Sequence, residues 1–300
     1  MNIKKDLVKF VFLVYYISME NLDGKKVSLL IKTEIRDKIQ KEYLEIGKQV
    51  PCLACIIVGD NPASQVYVAS KEKACHSVGM NSVIKRLPET STNEEVEQVI
   101  KELNEDSNVS GILLQLPLPK GLNEAKLLEC ISPEKDVDGL TDINLGKLFA
   151  GKNKIAPCTA FGIIDLLEEY NIEMQGKHIV VIGRSLLVGK SVSALFEQKN
   201  ATVTLCHSKT QNLKEMCKQA DILVVAIGKP KFVTADMVKD GAVVVDVGIN
   251  RLETGLVGDV DYINVKEKCS YITPVPGGVG PMTIAELLKN TITLHEEVNK

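Results

Sequence analysis

From Leu53 onward, short apolar runs alternate with stretches of helical period, a pattern that predicts a parallel α/β protein. Leu53–Val58 reads as a strand. Asp60-Asn61-Pro62 opens a helix, because proline's fixed φ suits a first turn, and Gly79 ends it. Within that helix Val66, Ala69, Ala74 and Val78 are expected to pack on the sheet, while Tyr67 and Lys71, four residues apart, share another face. Ser82–Leu87 is the next strand, and Thr92 with Glu95 forms a capping box for a helix to about Glu105. Gly111–Leu116 is a third strand, stopped by Pro117 and Pro119, and Glu124–Ile131 is a helix. These elements make one α/β unit.

A second unit begins after the loop around Gly151–Pro157. Thr159–Tyr170 is helical, and strands are expected at His178–Ile182, Ala201–Leu205, Asp221–Ile227 and Ala242–Val247. Runs as apolar as Ile222-Leu-Val-Val-Ala-Ile227 suit a sheet covered on both faces. Thr283–Val298 is a final helix that can pack back on the first unit. The fold class expected is therefore two α/β domains, the second a Rossmann-like doubly wound parallel sheet. The division is 19–157 plus 284–300 for the first domain, 158–283 for the second, and 1–18 as an N-terminal extension.

Composition narrows the functions available. With 300 residues, 45% hydrophobic and 25% charged, the chain is ordinary for a globular protein of two domains. A net charge of -3 gives no global pull toward nucleic acid or an anionic membrane surface, so neither is an expected partner. No Trp and 4% aromatics leave little for base stacking. The eight cysteines are scattered beside apolar residues and read as buried, reduced thiols. Cys52 and Cys55 lack the second pair a metal site needs. In Met1–Ser18, Lys4, Lys5 and Lys9 flank the apolar run Val8–Ile17, broadly like a short signal peptide but with no small-residue cleavage site after it. A start at Met19 or a tail packed on the surface is the preferred reading, and export the lesser one.

The turn after His178–Ile182 reads Gly183-Arg-Ser-Leu-Leu-Val-Gly189, a departure from G-x-G-x-x-G in which Ser185 takes the second glycine's slot. Joining a buried strand to a helix, it can meet a phosphate with free N–H groups. Where an NAD site would carry an acidic ribose partner, this chain has Cys206-His207-Ser208-Lys209. Ser208 and Lys209 with Arg184 suit a 2′-phosphate, so charge favours NADP over NAD. Gln115 stands inside an otherwise apolar segment, Asp136-Val-Asp138-Gly139 is an acidic turn, and Thr273–Met282 is a stiff Pro/Gly loop that implies close backbone approach. The four histidines have no metal-ligand spacing, and no metal is expected.

Taken in order, Ser64-Gln-Val-Tyr-Val-Ala-Ser-Lys71, Gln115-Leu-Pro-Leu-Pro119, Lys135-Asp-Val-Asp-Gly139, Gly183–Gly189 and Pro274-Val-Pro-Gly-Gly-Val-Gly-Pro281 resemble the bifunctional methylenetetrahydrofolate dehydrogenase/methenyltetrahydrofolate cyclohydrolase family from about Leu22 to the C-terminus. The resemblance implies oxidation of 5,10-methylenetetrahydrofolate with NADP+, then hydrolysis of the methenyl cation to 10-formyltetrahydrofolate, both in an interdomain cleft. It further implies a cytoplasmic homodimer that binds tetrahydrofolate derivatives.

By the same resemblance Lys71 is the catalytic lysine. A free lysine is almost wholly charged at neutral pH, so burial or a cationic neighbour, such as the substrate itself, must favour the neutral amine. Gln115 orients Lys71 without adding negative charge, Tyr67 stacks on the folate ring, and Asp138 accepts from the pterin N–H groups. Leu116, Pro276, Gly277 and Gly280 line the folate. Gly183, Ser185, Val188, Gly189 and His207 hold the dinucleotide, and Arg184 and Ser208 hold its 2′-phosphate. Thr159 and Ile249 lie beside the nicotinamide. The alternatives are a monofunctional dehydrogenase in which Lys71 only binds, a non-catalytic nucleotide-binding protein, and a dehydrogenase of small acids. The last is disfavoured because the Pro274–Pro281 loop offers no arginine for a carboxylate.

Overall fold

The computed structural model describes residues 19–253 and 255–299, so the expectations for Met1–Ser18 lie outside the described residues. Three parallel strands, Cys52–Val58 flanked by Asn81–Leu87 and Gly111–Leu114, form the smaller sheet. The larger sheet has six parallel strands, ordered Glu20–Asn21, Tyr271–Ile272, Val243–Asp246, Ile222–Val225, His178–Ile182 and Thr202–Cys206. Its central strands are buried throughout, as the all-apolar runs require.

Local signals explain most elements. Asn61 accepts from the N–H groups of Ala63 and Ser64 and starts the Pro62–Ser77 helix. The Thr92/Glu95 capping box is present in both directions and opens Asn93–Glu105. Three expectations are corrected. The third strand ends at Leu114, not Leu116, so Gln115 is its last tie to the neighbouring strand. Val66 and Ala69 are exposed, and Val68, Ala74, Cys75 and Val78 do the packing. Helices at Gly24–Ile39 and Asp142–Phe149 arise where none was expected. The thiols behave as anticipated: all eight are free and seven are buried.

The last helix, Val279–Val298, begins inside the Pro/Gly loop and joins the two halves. Val279 and Met282 enter the core beneath the larger sheet. Leu287, Leu288, Ile292 and Leu294 enter the core beneath the smaller one. Each leucine buried this way contributes about 2 kcal/mol. The neighbouring helix Cys158–Glu169 passes so close that a Cβ on Gly162 would lie 2.8 Å from the Met282 Cβ.

Glu286 is fully buried at this junction. Lys289 reaches it at 3.2 Å, off hydrogen-bond geometry, and also pairs with Asp165. Burial, and then the Asp165 charge, pushes the Glu286 carboxyl above the ordinary glutamate range, with Lys289 pulling it back. The unfolded carboxyl ionises earlier than the folded one, so stability is lost as pH rises from the ordinary glutamate value through the raised one. Thermal unfolding should therefore show wild type losing about 1–2 kcal/mol between mildly acidic and mildly alkaline buffer, and Glu286→Gln losing much less.

Candidate active site

Two neighbouring elements bring the first group together. Lys71 projects from the third turn of the Pro62–Ser77 helix, and Gln115 follows the Gly111–Leu114 strand directly. The Gln115 backbone N–H still donates to Ile56 O at 2.9 Å, which anchors the residue at the sheet's edge. Lys71 Nζ donates to Gln115 Oε1 at 3.0 Å. The same amide's Nε2 donates to Leu116 O at 2.6 Å, so its oxygen is committed to the lysine. Tyr67, one turn before Lys71, is 46% exposed and presents its ring to solvent.

The acidic turn divides into a structural and an available carboxylate. Asp136 is buried and accepts from Thr141 N–H at 2.9 Å and from Asn144 Nδ2 at 3.0 Å, which closes the turn. Asp138 interacts instead with Lys71 and the Cys158 thiol. Burial pushes its carboxyl above the ordinary aspartate range, Lys71 pulls it back, and the Asp136 charge adds to the rise. Burial and the Asp138 charge hold the Cys158 thiol well above the usual cysteine range, so it is a neutral packing neighbour and not a thiolate. Beneath the turn Asn290 Nδ2 donates to Val137 O at 2.8 Å and to Ala156 O at 3.0 Å. The junction helix thus holds Asp138's backbone from below.

The Pro/Gly loop forms a second wall. Pro274–Pro281, with Lys25, Leu256 and Asp246–Ile249, encloses a pocket of about 140 Å³. Close approach explains its glycines. A Cβ on Gly24 would stand 1.9 Å from Gly278 O, and Lys25 N–H donates to Gly277 O at 3.1 Å. Gly277 adopts φ +116°, and the Lys25 side chain runs over it. Gly280 faces the half-exposed Ile249, whose Cδ1 lies 3.6 Å from a Cβ built there. Pro276 is exposed on the loop's rim, and Thr159 Oγ1 lies 3.1 Å from Thr283 Oγ1 at the start of the junction helix.

The third group lies at the C-terminal ends of the larger sheet's strands, where open α/β sheets bind ligands. Gly183 adopts φ +119°, and a Cβ on Gly189 would stand 1.9 Å from Gly183 O, so the turn closes only with glycine at both places. Ser185 Oγ accepts from Val188 N–H at 3.3 Å and starts the helical run Leu186–Gln198. Gly183 N–H donates to Cys206 O at 2.9 Å, which sets Arg184 beside the turn carrying His207, Ser208 and Lys209. That second turn is closed by His207 N–H to Thr210 Oγ1 and by Lys209 N–H to His207 Nδ1. A helix start next to exposed Arg184, Ser208 and Lys209, with no acid among residues 206–209, fits a dinucleotide carrying a further phosphate. Among the described residues no three His, Cys, Asp or Glu side chains converge as a metal site.

Residues 22–138 match the catalytic domain of tetrahydrofolate dehydrogenase/cyclohydrolase, and residues 157–299 match that family's NAD(P)-binding domain. The chain belongs to the tetrahydrofolate dehydrogenase/cyclohydrolase family. Within this family, the bifunctional protein FolD of Campylobacter hominis is 56% identical over 275 residues, or 91% of this chain and 96% of the relative. The crystal structure of the Campylobacter jejuni FolD methylenetetrahydrofolate dehydrogenase/cyclohydrolase superposes with a TM-score of 0.91 at 48% identity, covering 94% of this chain and 100% of that one. The Trypanosoma brucei enzyme, complexed with NADP cofactor and inhibitor, gives 0.89 at 36% identity, with 93% and 97% covered. The family expected from five ordered motifs is thus borne out.

Some residues of this family member's site went unread in the sequence. Lys25 precedes any recognised element, Cys158 passed as one more buried thiol, and Asn290 is a single amide in an apolar helix face. A polar residue buried between Leu287, Leu288 and Ile292 was the one available signal for Asn290.

Proposed function

We propose that this chain oxidises 5,10-methylenetetrahydrofolate with NADP+ and hydrolyses the resulting methenyl cation to 10-formyltetrahydrofolate. The observation that carries the reading is the Lys71–Gln115 hydrogen bond facing Asp138, within a chain that matches both domains of the family. In this reading residues 19–157 with 284–300 hold the folate and residues 158–283 hold NADP+.

NADP+, when bound, supplies the hydride acceptor. Arg184, His207 and Ser208 hold its 2′-phosphate, while Gly183, Ser185, Val188 and Gly189 shape the dinucleotide turn. Thr159 and Ile249 flank the nicotinamide side. Tyr67 and Leu116 cover the folate ring, Asp138 accepts from its pterin N–H groups, and Pro276, Gly277 and Gly280 form the facing wall. In hydrolysis, water adds to the methenyl carbon, Lys71 takes the water's proton, and a ring C–N bond breaks as that nitrogen is protonated. Gln115 aims the lysine lone pair without supplying a charge that would hold the proton on it. The substrate's own positive charge disfavours an ammonium beside it. One-carbon interconversion in the cytoplasm by a homodimer completes the reading.

The direct test offers purified protein 5,10-methylenetetrahydrofolate with NADP+ or NAD+ and follows methenyl absorbance. NADP+ should give a rise and then a decay. No change with either cofactor would remove the proposal, and a change with NAD+ alone would overturn the phosphate assignment. Arg184→Ala should raise the KM for NADP+ about 10–100-fold and leave that for NAD+ within about threefold, as expected for one charge-assisted phosphate contact. Initial rates with both cofactors check it.

A further inference from the structure

Two buried carboxylates that this reading does not use lie under the cofactor end of the larger sheet. Asp246 ends the all-valine strand Val243–Asp246, and Asp259 follows the hairpin Asn250–Leu252/Gly255–Val257. Asp259 accepts from the backbone N–H groups of Ile227, Gly228 and Lys229 at 2.7, 2.9 and 2.8 Å, and from Asn250 Nδ2 at 2.9 Å. Asp246 in turn accepts from the N–H groups of Asp259, Val260 and Gly248 at 2.8, 2.9 and 3.0 Å. Thr273, at the root of the Pro/Gly loop, accepts from Asp246 N–H at 2.7 Å.

The packing leaves room for nothing else. A Cβ on Gly248 would stand 2.2 Å from Asp259 Oδ1, and one on Gly258 would stand 1.8 Å from Asp246 Oδ2. The segments held are those that follow two central strands, Ile222–Val225 and Val243–Asp246. The first abuts the dinucleotide turn, since a Cβ on Gly183 would stand 2.1 Å from Ala226 O. The second carries Ile249.

We propose that Asp259, seated by Asp246, is a positioning residue for NADP+. It draws the Ile227–Lys229 loop and Asn250 onto one carboxylate and so fixes the rim against which the dinucleotide lies. Four donors converge on two oxygens, and only an acceptor-only group satisfies them all. An asparagine would turn an NH2 toward at least one backbone N–H. The inference rests on the NADP+ reading above, and the hydrolytic step provides an internal control because it consumes no cofactor.

The test uses the full chain, wild type, Asp259→Asn and the milder Asn250→Ala. NADP+ affinity is measured by calorimetric titration, and methenyltetrahydrofolate hydrolysis is measured without NADP+. Asp259→Asn should weaken NADP+ binding by about tenfold or more and Asn250→Ala by about two- to fivefold, with hydrolysis within about twofold in each. Should Asp259→Asn not fold, Asn250→Ala decides alone. Unchanged affinity, or hydrolysis falling in step with affinity, would overturn the positioning role. Wild type that fails to bind NADP+ would instead overturn the cofactor reading and the inference with it.

Discussion

Lys71→Gln should lower cyclohydrolase turnover about 10²–10⁴-fold, the range a positioned general base supplies. The substitution keeps a polar side chain able to donate to Gln115 Oε1, which now receives Lys71 Nζ at 3.0 Å, but it cannot take up a proton near neutral pH. Hydride transfer needs no such base, so dehydrogenase turnover should fall far less, by about tenfold at most. Methenyl product should then accumulate where wild type clears it. Parallel loss of both activities would mean that Lys71 only shapes the cleft. Equal retention of both would mean that it takes no part in hydrolysis, and a wild type with no hydrolysis to lose would mean a monofunctional dehydrogenase.

Asp138→Asn should lower kcat/KM for both folate reactions together, by about 10²-fold, while NADP+ affinity stays near wild type. Two pterin N–H donors meeting a carboxylate are worth about 1.5–3 kcal/mol each, and an amide accepts one and opposes the other. Steady-state rates with each folate substrate check this. The wild-type pH profile should agree. In the proposed role the ionised carboxylate is the acceptor, and burial raises the Asp138 carboxyl above its ordinary range despite Lys71. Folate KM should therefore climb as pH falls, starting at a higher pH than an exposed aspartate would give. Asp138→Asn should flatten that climb.

The strands of the smaller sheet, four of the larger and the helices at Pro62 and Asn93 were legible because their signals are local: unbroken apolar runs, an Asn61 cap and a capping box. The two-residue strands Glu20–Asn21 and Tyr271–Ile272 are too short to give such a signal. Gly24–Ile39 escaped because the exposed Leu29 and Leu30 blur the spacing of its buried residues Val27, Ile35 and Ile39. Its Asp23 cap accepts from Lys26 N–H at 3.0 Å and reads as an ordinary loop acid until the helix is seen. Val66 and Ala69 misled because apolar identity does not say which way a helix turns its face.

At the site, motif order brought out Lys71, Gln115 and Asp138. Nothing in the sequence, however, says that Asp136 spends its carboxylate on Thr141 and Asn144 while Asp138 does not. The same holds for Asp246 and Asp259. Their value lies in donors brought from elsewhere in the chain, residues 227–229 to Asp259 and residues 259–260 to Asp246.

One cleft serving both reactions is the core of this account. Its most direct test is the inhibition constant of an unreactive folate analogue, measured against each activity with saturating NADP+ present in both assays. Equal constants and competitive patterns are predicted. Two clearly different constants, or inhibition of one activity alone, would contradict a shared site.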